Sequence, residues 1–288
     1  MRNVKPTQPL AQLHVPDGTP WDQACQRTTH VAIAAHPDDV EFMAWHAILE
    51  CFQQPDKALG AVIVTDGRGS PRCGAYAGMT DEQMRVVRIA EQEKAALVGG
   101  YAWLACLGFQ SESIKSGATA ALHEDLRHVI ETTRPRVIYT HNLADRHDTH
   151  VAVALQVIAV LRSLPAERRP ARVLGCEVWR GLDWLSDIDK RILDVSAREH
   201  LTTALMGVFD SQIAGGKRYD LATIGRKRSN ATYAASGQTD QASAMEYAMD
   251  LTPLIMDTSL AVQTYVAGLI QRFGDDITSR IRRVGGAR

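Results

Sequence analysis

Short apolar runs alternate with longer segments of helical periodicity along the first half of the chain. Four runs have the length and the composition of buried strands: VAIAA (31–35), AVIVTDG (61–67), WLACLGF (103–109) and VIYTH (137–141). Apolar residues recur at helical spacing between and after these runs, over 40–52, 80–99, 118–133 and 151–164. Alternation of this kind predicts an α/β fold, with a mostly parallel sheet and helices on both faces.

The second half of the chain has a weaker pattern. The run VLGCEVWRG (173–181) predicts a further strand, and two segments predict helices, 199–206 and 261–273. We expect one α/β domain over 30–275, because no internal repeat, linker or change of composition divides the sequence. An N-terminal arm over 1–29 would lie on this domain, and the charged end of the tail over 276–288 suggests disorder.

Composition narrows the function classes. The 288 residues are 45% hydrophobic and 23% charged, which is ordinary for a globular protein. A net charge of −1 argues against a nucleic-acid partner, since nucleic-acid-binding domains are strongly basic. The five scattered cysteines form no CxxC pair and favour free thiols in a reducing compartment. With no apolar run long enough for a membrane span and no signal-peptide core, we expect a cytoplasmic protein.

Candidate chemistry begins at the end of the first predicted strand, which is followed by His36, a proline, Asp38 and Asp39. In open parallel sheets, ligand sites form beyond the carboxyl ends of the strands. Asp38 followed three residues later by Glu41 also resembles a helix-capping box. Capping would account for one aspartate, but for neither His36 nor the second acid.

A second polar cluster, DRHDTH (145–150), follows the fourth predicted strand and contains Asp145, His147, Asp148 and His150. Parallel strands place both clusters at the same edge of the sheet, which predicts a metal site or an acid–base site. Three ligands drawn from His and Asp, with an open position, are the pattern of catalytic zinc, and the same set suits non-haem iron(II). No GxGxxG follows the first strand, so a dinucleotide site is not expected.

These motifs resemble a known family. HPDD after the first strand, TDG after the second, R-x-x-E-x-x-x-A on the next helix (Arg88, Glu91 and Ala95) and the late H-x-x-H are similar to the PIG-L/LmbE-like N-acetylglucosaminyl deacetylases. The resemblance covers roughly residues 30–155, and FDSQIAGGKRYD (209–220) is similar to a Ser-Gln segment of many relatives. It implies a Rossmann-like, LmbE-like fold and a zinc ion.

Carried over residue by residue, the resemblance implies that His36, Asp39 and His150 bind the zinc ion. Asp38 then matches the general base, and His147 matches the histidine that, when protonated, stabilises the tetrahedral intermediate. The late motif reads H-D-T-H instead of the usual H-x-D-H, so its acid, Asp148, is displaced by one position. Either Asp148 or Asp145 would orient His147.

Substrate contacts follow less directly from the sequence. Arg68 and Arg88 are candidate ligands for sugar hydroxyls or a phosphate, although both would also fit a solvated surface, and Arg88 would fit a helical i,i+3 pair with Glu91. Four aromatic residues would serve either an acceptor subsite or packing: Trp179, Trp184, Tyr219 and Tyr233. A Gly-Gly pair frequent in the family after HPDD is replaced near Ala44-Trp45, which predicts a reshaped pocket.

We therefore expect a zinc-dependent hydrolase that removes the acetyl group from an N-acetylglucosamine-containing small molecule, with Fe²⁺ as the alternative metal. An amidase that cleaves a larger N-acyl group from an amino-sugar conjugate would use the same metal site. A non-catalytic sugar-binding module is a third interpretation, but it would have no need of Asp38 beside a metal. The sequence identifies neither the natural acceptor nor the oligomeric state, and it leaves a homo-oligomer open.

Overall fold

The computed structural model describes residues 5–117 and 119–286, and these contain eight strands that form one sheet. The strands are β1 (Gln12–His14), β2 (His30–Ala34), β3 (Leu59–Thr65), β4 (Trp103–Phe109), β5 (Val137–His141), β6 (Arg172–Cys176), β7 (Lys190–Asp194) and β8 (Met245–Asp250). Their order in the sheet is β1-β4-β3-β2-β5-β6-β8-β7. The five strands from β4 to β6 in this order are parallel, whereas β1, β8 and β7 each pair antiparallel with a neighbour.

The central strands are apolar along their whole length because both faces of the sheet are covered. Every residue of β2 and of β3 is buried. Continuous apolar runs are typical of parallel strands with helices on both sides. The four strands predicted in the first half are confirmed, as is the mostly parallel α/β fold. The predicted strand over 173–181 stops at Cys176, and the residues after it form a loop.

Twelve α-helices surround the sheet within the described ranges: α1 (Trp21–Gln26), α2 (Asp39–Met43), α3 (Trp45–Cys51), α4 (Asp81–Val98), α5 (Ser111–Lys115), α6 (Ala120–Thr133), α7 (Asp148–Ser163), α8 (Glu199–Gly207), α9 (Asp210–Ile213), α10 (Tyr219–Tyr233), α11 (Thr252–Met256) and α12 (Val262–Gly285). The predicted helix over 118–133 begins at Ala120, and residue 118 itself lies outside the described residues. None of the helices in the described chain has the length and apolar character needed to cross a membrane.

Two predicted helices differ in extent from those observed. The single helix expected over 40–52 is divided at Ala44, whose φ of −129° ends α2 before α3 begins. The helix expected over 261–273 continues to Gly285 as α12, through the described part of the tail for which the sequence suggests disorder. Residues 287–288 of that tail, and residues 1–4 of the N-terminal arm, lie outside the described residues.

The parallel register places the carboxyl ends of β2, β3 and β5 at one edge of the sheet. β2 pairs with β3 on one side and with β5 on the other, both in parallel. The polar residues that follow these three strands therefore meet at a single edge, as the sequence predicts. The N-terminal arm is attached to other elements of the domain. β1 pairs with β4, and Thr7 hydrogen-bonds the side chain of Asp125 in α6.

Candidate metal centre

Three side chains at this edge direct one atom each toward a common centre. His36 Nδ1 lies 3.2 Å from Asp39 Oδ2 and 3.2 Å from His150 Nε2, and Asp39 Oδ2 lies 3.2 Å from His150 Nε2. Four ligand atoms placed tetrahedrally about 2.0 Å from a zinc ion are separated from one another by about 3.3 Å. The three atoms therefore have the spacing of three corners of a zinc coordination tetrahedron.

The two histidines of the triangle have pKa values shifted in opposite directions. Burial lowers the pKa of His36 and keeps its imidazole neutral. Burial opposes ionisation of Asp39, but the imidazoles of His150 and His141 outweigh it and hold the pKa of Asp39 well below its usual range. For His150, burial opposes the charge, yet Asp39 and Asp145 raise its pKa to about 9. Without a metal, His150 therefore carries a proton that an incoming cation must displace.

Asp145 supports the triangle from behind. It is buried, and its Oδ1 lies 3.5 Å from His150 Nδ1, the ring nitrogen that faces away from the triangle. The same carboxylate accepts hydrogen bonds from the backbone N–H groups of His147, at 2.9 Å, and Trp179, at 3.1 Å. A carboxylate behind a ligating imidazole fixes the orientation and the tautomer of its ring. Asp148, by contrast, is exposed in the first turn of α7.

His147 lies beside the triangle as a neutral hydrogen-bond donor. Its ring centroid is 4.8 Å from that of His36 and 4.6 Å from that of His150. Burial, together with these two neighbouring imidazoles, lowers its pKa to about 4. Its Nδ1 accepts a hydrogen bond from the backbone N–H of Thr149 at 3.3 Å, which assigns the proton of the neutral ring to Nε2. The charged form considered from the sequence is therefore disfavoured here.

Asp38 turns away from the triangle. Its φ of 94° is in the left-handed region, which non-glycine residues rarely adopt. The side chain is buried, and its Oδ2 lies 2.9 Å from Arg88 Nη2. Burial raises the pKa of Asp38 well above its usual range, and the guanidinium of Arg88 offsets only part of this effect. Backbone strain at a buried titratable residue is typical of functional sites.

The capping-box interpretation of Asp38 and Glu41 is wrong. Within the described residues, the side chain of Asp38 makes no hydrogen bond that caps α2. Glu41 is fully buried and accepts hydrogen bonds from Gln92 Nε2 at 2.9 Å and from Tyr101 Oη at 2.6 Å. Gln92 in turn accepts the backbone N–H of Asp38 at 2.8 Å, so Glu41 supports the strained backbone through Gln92.

The R-x-x-E motif connects different elements and does not form a pair within its helix. Arg88 donates to the carbonyl of Pro37 and to Ser70 Oγ, in addition to its contact with Asp38. Glu91 accepts from the backbone N–H of Ser211 at 2.8 Å and from Ser211 Oγ at 2.6 Å. The alternative of an Arg88–Glu91 ion pair is therefore wrong, and Glu91 attaches the Ser-Gln segment to α4.

The two predicted substrate arginines lie in different surroundings. Arg88 is buried and lines a cavity beside the triangle. Arg68 Nε lies 2.6 Å from Asp66 Oδ2, and Arg68 is not among the residues that line this cavity within the described ranges. Between Asp66 and Arg68, Gly67 has a φ of 69°, and a Cβ there would lie 3.2 Å from Pro37 and 3.3 Å from Arg88. The glycine of TDG thus permits this close approach.

His141, the last residue of β5, is a member of the site that the sequence interpretation missed. It is fully buried and stacks on His150, with ring centroids 3.9 Å apart. Its Nε2 accepts the backbone N–H of Ala35 at 2.8 Å and lies 3.5 Å from Asp39 Oδ2. This hydrogen bond uses the lone pair of Nε2. Asp39, His141 and His150 nevertheless also lie close enough together to form a second possible metal-binding group. Its position at the end of a predicted strand was the sequence signal that could have identified His141.

A cavity of about 570 Å³ opens beside the triangle. Its lining includes Trp179 and Tyr219, whose rings meet edge to face at 5.6 Å, with Lys217 Nζ 4.5 Å above the ring of Trp179. Of the other two aromatic candidates, Trp184 packs against Phe273, and Tyr233 is 76% exposed. Of the four aromatic candidates, Trp179 and Tyr219 therefore line the cavity, together with Phe42.

Comparisons with known proteins agree with the motifs. Residues 31–161 match a family model described as PIG-L: GlcNAc-PI de-N-acetylase. No curated protein matches the sequence.

Among solved structures, an N,N'-diacetylchitobiose deacetylase from Pyrococcus horikoshii is similar with a TM-score of 0.60 and 14% identity, covering 80% of this chain and 86% of that chain. A zinc-inhibited form of a teicoplanin deacetylase has a TM-score of 0.58 and 14% identity, with coverage of 77% and 97%. A 4-carboxy-2-hydroxymuconate hydratase from Pseudomonas putida KT2440 has a TM-score of 0.57 and 15% identity, with coverage of 78% and 97%. Since identities this low show the fold alone, the family rests on the sequence match: the chain contains a PIG-L family domain over residues 31–161, which confirms the resemblance.

Proposed function

We propose that this protein is a metal-dependent hydrolase that removes the acetyl group from an N-acetylglucosamine-containing compound. The observation that carries the proposal is the 3.2 Å triangle of His36 Nδ1, Asp39 Oδ2 and His150 Nε2 beside the buried carboxylate of Asp38. The family description, GlcNAc-PI de-N-acetylase, supports an N-acetylated amino sugar as the substrate class. Two of the similar structures are deacetylases, which agrees with this choice.

The donor set of the triangle fits a zinc ion, with iron(II) as the alternative. Two imidazole nitrogens and one carboxylate oxygen are ligands that both metals accept, and three protein ligands leave at least one coordination position open. When bound there, a divalent ion would act as a Lewis acid, lowering the pKa of water and polarising an amide carbonyl. Asp145 would hold the ring of His150 in place, and the backbone N–H of His36 would hold the carboxylate of Asp39.

Asp38 is the proposed general base. Its carboxylate is adjacent in sequence to the proposed ligand Asp39, but it is directed toward Arg88 and the cavity. A carboxylate with a raised pKa accepts a proton from water more readily than an ordinary one and can return it to the leaving amine. Arg88 fixes the orientation of this carboxylate, and its guanidinium opposes the rise of the Asp38 pKa. Arg88 is therefore proposed as a positioning residue, with substrate contact as a second role.

His147 is the proposed donor to the oxyanion. As the carbonyl carbon becomes tetrahedral, negative charge develops on its oxygen, and the Nε2–H of a neutral imidazole can donate to it. A donor of this kind commonly stabilises the transition state by about 3 kcal/mol. The hydrogen bond from Thr149 to Nδ1 holds the ring in the tautomer that this role requires. The roles considered for Asp148 and for Arg68 remain predictions. The carboxylate of Asp145 lies beside the ring of His150 and reaches His147 only at its backbone N–H, and Arg88, not Arg68, lines the cavity.

The part of the cavity lined by Trp179 and Tyr219 is the proposed acceptor subsite. A cavity of about 570 Å³ is within the range of roughly 300–1,000 Å³ that is usual for small-molecule sites. The rings of Trp179 and Tyr219 suit the apolar face of a sugar ring, and Lys217 adds a donor above Trp179. This arrangement supports a sugar conjugate as the substrate.

The test is an assay of N-acetylated sugars, with and without aglycones, for release of acetate and for the new primary amine. We expect turnover that a chelator abolishes and that added zinc or iron(II) restores. Metal analysis of the purified protein should give about one ion per chain, and His36→Ala and His150→Ala should each lose it. Wild-type metal content in both variants would refute the ligand assignment.

The same assay separates the alternatives. Turnover of longer N-acyl substrates, with every N-acetyl sugar inert, would make the protein an amidase for a larger acyl group. Binding of metal and sugar without turnover of any acylated substrate would favour a non-catalytic binding module. Either result would overturn the proposed deacetylation while leaving the metal assignment intact.

A further inference from the structure

The cavity beside the metal centre is lined by more basic than acidic side chains. The lysines and arginines of its lining are Arg88, Lys115, Lys217, Arg226 and Lys227. The acidic residues of its lining are Asp38, Asp39 and Glu177. Which of these charges a substrate meets depends on how many of the cations are already paired within the protein.

Three of the cations already have a carboxylate partner. These pairs are Arg88 with Asp38, Lys115 with Glu112 and Lys227 with Glu246. Lys217 and Arg226 differ from them, because neither forms an ion pair with a carboxylate of the described residues. Two positive charges in the lining are therefore left without a partner on the protein.

Glu177, the acid of the lining that takes no part in the metal centre, does not balance both charges. It is buried, and it accepts hydrogen bonds from the backbone N–H groups of Leu182, at 2.6 Å, and Tyr247, at 3.1 Å, and from Asn230 Nδ2, at 3.0 Å. Burial raises the pKa of Glu177, and these two backbone hydrogen bonds oppose the rise. Even when it is ionised, one carboxylate offsets only one of the two cations.

The two unpaired cations approach the same short segment, Val178–Trp179. Lys217 Nζ lies 4.5 Å from the centroid of the Trp179 ring, and Arg226 donates from α10 to the carbonyl of Val178. The ring of Trp179 is in turn 6.5 Å from that of His147, the proposed oxyanion donor. A sugar whose acetamide group reaches His147 therefore lies beside Trp179, and the group attached to that sugar meets Lys217 and Arg226.

The chemistry of these two side chains selects a charged ligand. A neutral ligand that displaced water from both cations would leave their lost solvation uncompensated, whereas an anion compensates it. Arg226 uses only Nη1 in hydrogen bonds to the described residues, which leaves its other N–H groups for a ligand. A guanidinium group suits the paired oxygens of a carboxylate or a phosphate, and the ammonium group of Lys217 adds a second charge.

We propose that the natural substrate carries a negatively charged oxygen group, a carboxylate or a phosphate, on the part of the molecule attached to the amino sugar, and that Lys217 and Arg226 bind this group. The inference rests on the proposed deacetylation, since it concerns the acceptor subsite of the same cavity. It narrows the substrate class from amino-sugar conjugates in general to anionic ones.

The first experiment compares kcat/KM for two matched pairs of N-acetylglucosamine β-glycosides. The carboxymethyl glycoside is paired with its methyl ester, and the 3-phosphopropyl glycoside with the 3-hydroxypropyl glycoside. We expect the anionic member of at least one pair to react about tenfold faster, as one charge-assisted hydrogen bond would provide. This preference should shrink as salt is added, because salt screens exposed charges. Which pair shows it identifies the anion, and equal values in both pairs would overturn the inference while leaving the proposed deacetylation intact.

The second experiment assigns the preference to the two side chains. Lys217→Gln and Arg226→Gln should each reduce the ratio of anionic to neutral kcat/KM about threefold, and the combined variant should remove the preference. Arg218→Gln and Arg228→Gln are the matched controls, since both residues are exposed neighbours that do not line the cavity. Each control removes the same charge and should keep the wild-type ratio. An equal loss of preference in the controls would show attraction by the overall charge of the protein and would overturn the assigned subsite.

A third measurement separates failure of this inference from failure of the proposed function. If none of the glycosides is turned over, the proposed deacetylation is wrong, but calorimetric titration with the same glycosides still tests the subsite. Tighter binding of an anionic member, lost when Lys217→Gln and Arg226→Gln are combined, would support the anion subsite. Equal dissociation constants for both members of each pair would overturn it.

Discussion

A neutral carboxyl group behind the strained Asp38 makes the stability of this protein depend on pH in an unusual direction. Glu41 is fully buried, and burial raises its pKa from 4.5 to about 7, against the lowering effect of its hydrogen bond from Tyr101. In the unfolded chain the same carboxyl ionises near its ordinary pKa. Between these two values the native state therefore holds a proton that the unfolded state has released.

The sign and the size follow from linkage. Stability falls with rising pH wherever the native state binds more protons than the unfolded state. For Glu41 the loss begins above pH 4.5 and is complete once the pH passes about 7. One pKa unit corresponds to 1.36 kcal/mol, so Glu41 should reduce the free energy of unfolding by about 3 kcal/mol across this window. Most buried, salt-bridged carboxylates have the opposite effect.

The assay is urea unfolding of the wild type and of Glu41→Gln at intervals from pH 4.5 to 8. Glutamine is nearly isosteric and keeps an oxygen that can accept from Gln92 or Tyr101. The stability of Glu41→Gln relative to the wild type should rise by about 3 kcal/mol between pH 4.5 and pH 8. Glu131→Gln, which removes an exposed carboxyl group from α6, should follow the wild-type profile. Parallel profiles for Glu41→Gln and the wild type would refute the argument that Glu41 is neutral at low pH in the folded protein.

The remaining predictions concern the proposed site. Asp38→Asn should keep the metal and lose about 10²–10⁴-fold in kcat, because the amide cannot accept a proton. Asp39→Asn should instead lose the metal in the same metal analysis. If Asp38→Asn lost the metal and Asp39→Asn kept it, the two proposed roles would be exchanged. His147→Ala should lower kcat by about 10²–10³-fold in the deacetylation assay without changing metal content, and an unchanged kcat would exclude it as the oxyanion donor. Trp179→Ala should raise KM for sugar conjugates at least severalfold, whereas Trp184→Ala, outside the cavity, should not; equal effects would indicate a loss of folding stability.

The meeting of the two polar clusters could be predicted from the sequence because it depends on a rule of parallel sheets, whereas the choice of His36, Asp39 and His150 among their residues came from the family resemblance. His36 and Asp39 follow β2, His150 follows β5, and adjacent parallel strands bring their carboxyl ends together. The choice between Asp145 and Asp148 could not be made in this way. It depends on the turn between β5 and α7, which directs Asp145 inward and leaves Asp148 exposed. Spacing along the chain does not contain that information.

Other elements were missed because their signals are non-local or ambiguous. β8 (MEYAMD) and β7 (KRILD) mix charged and apolar residues, and they become strands by pairing with each other across about 50 residues of sequence. The break at Ala44 interrupts a helical period that continues on both sides of it. In α12 apolar residues recur at helical spacing as far as Val284, but the surrounding aspartates and arginines made the segment resemble a solvated tail.

The conformation of Asp38 explains how two neighbouring aspartates take up different surroundings. In regular helical or extended backbone, Asp38 would adopt a negative φ; its φ of 94° instead turns its carboxylate toward Arg88 while Asp39 begins α2. The carboxylate of Asp39 is held toward His36 instead, because its Oδ2 accepts the backbone N–H of His36 at 2.8 Å. The strained backbone at Asp38 costs about 1–3 kcal/mol, a cost that glycine at this position would avoid. Glycine would also remove the carboxylate that the proposed mechanism needs, so the contacts of Asp38 with Gln92 and Arg88 must offset the strain. The proposed separation of metal ligand from general base therefore depends on one left-handed residue and the two side chains that hold it.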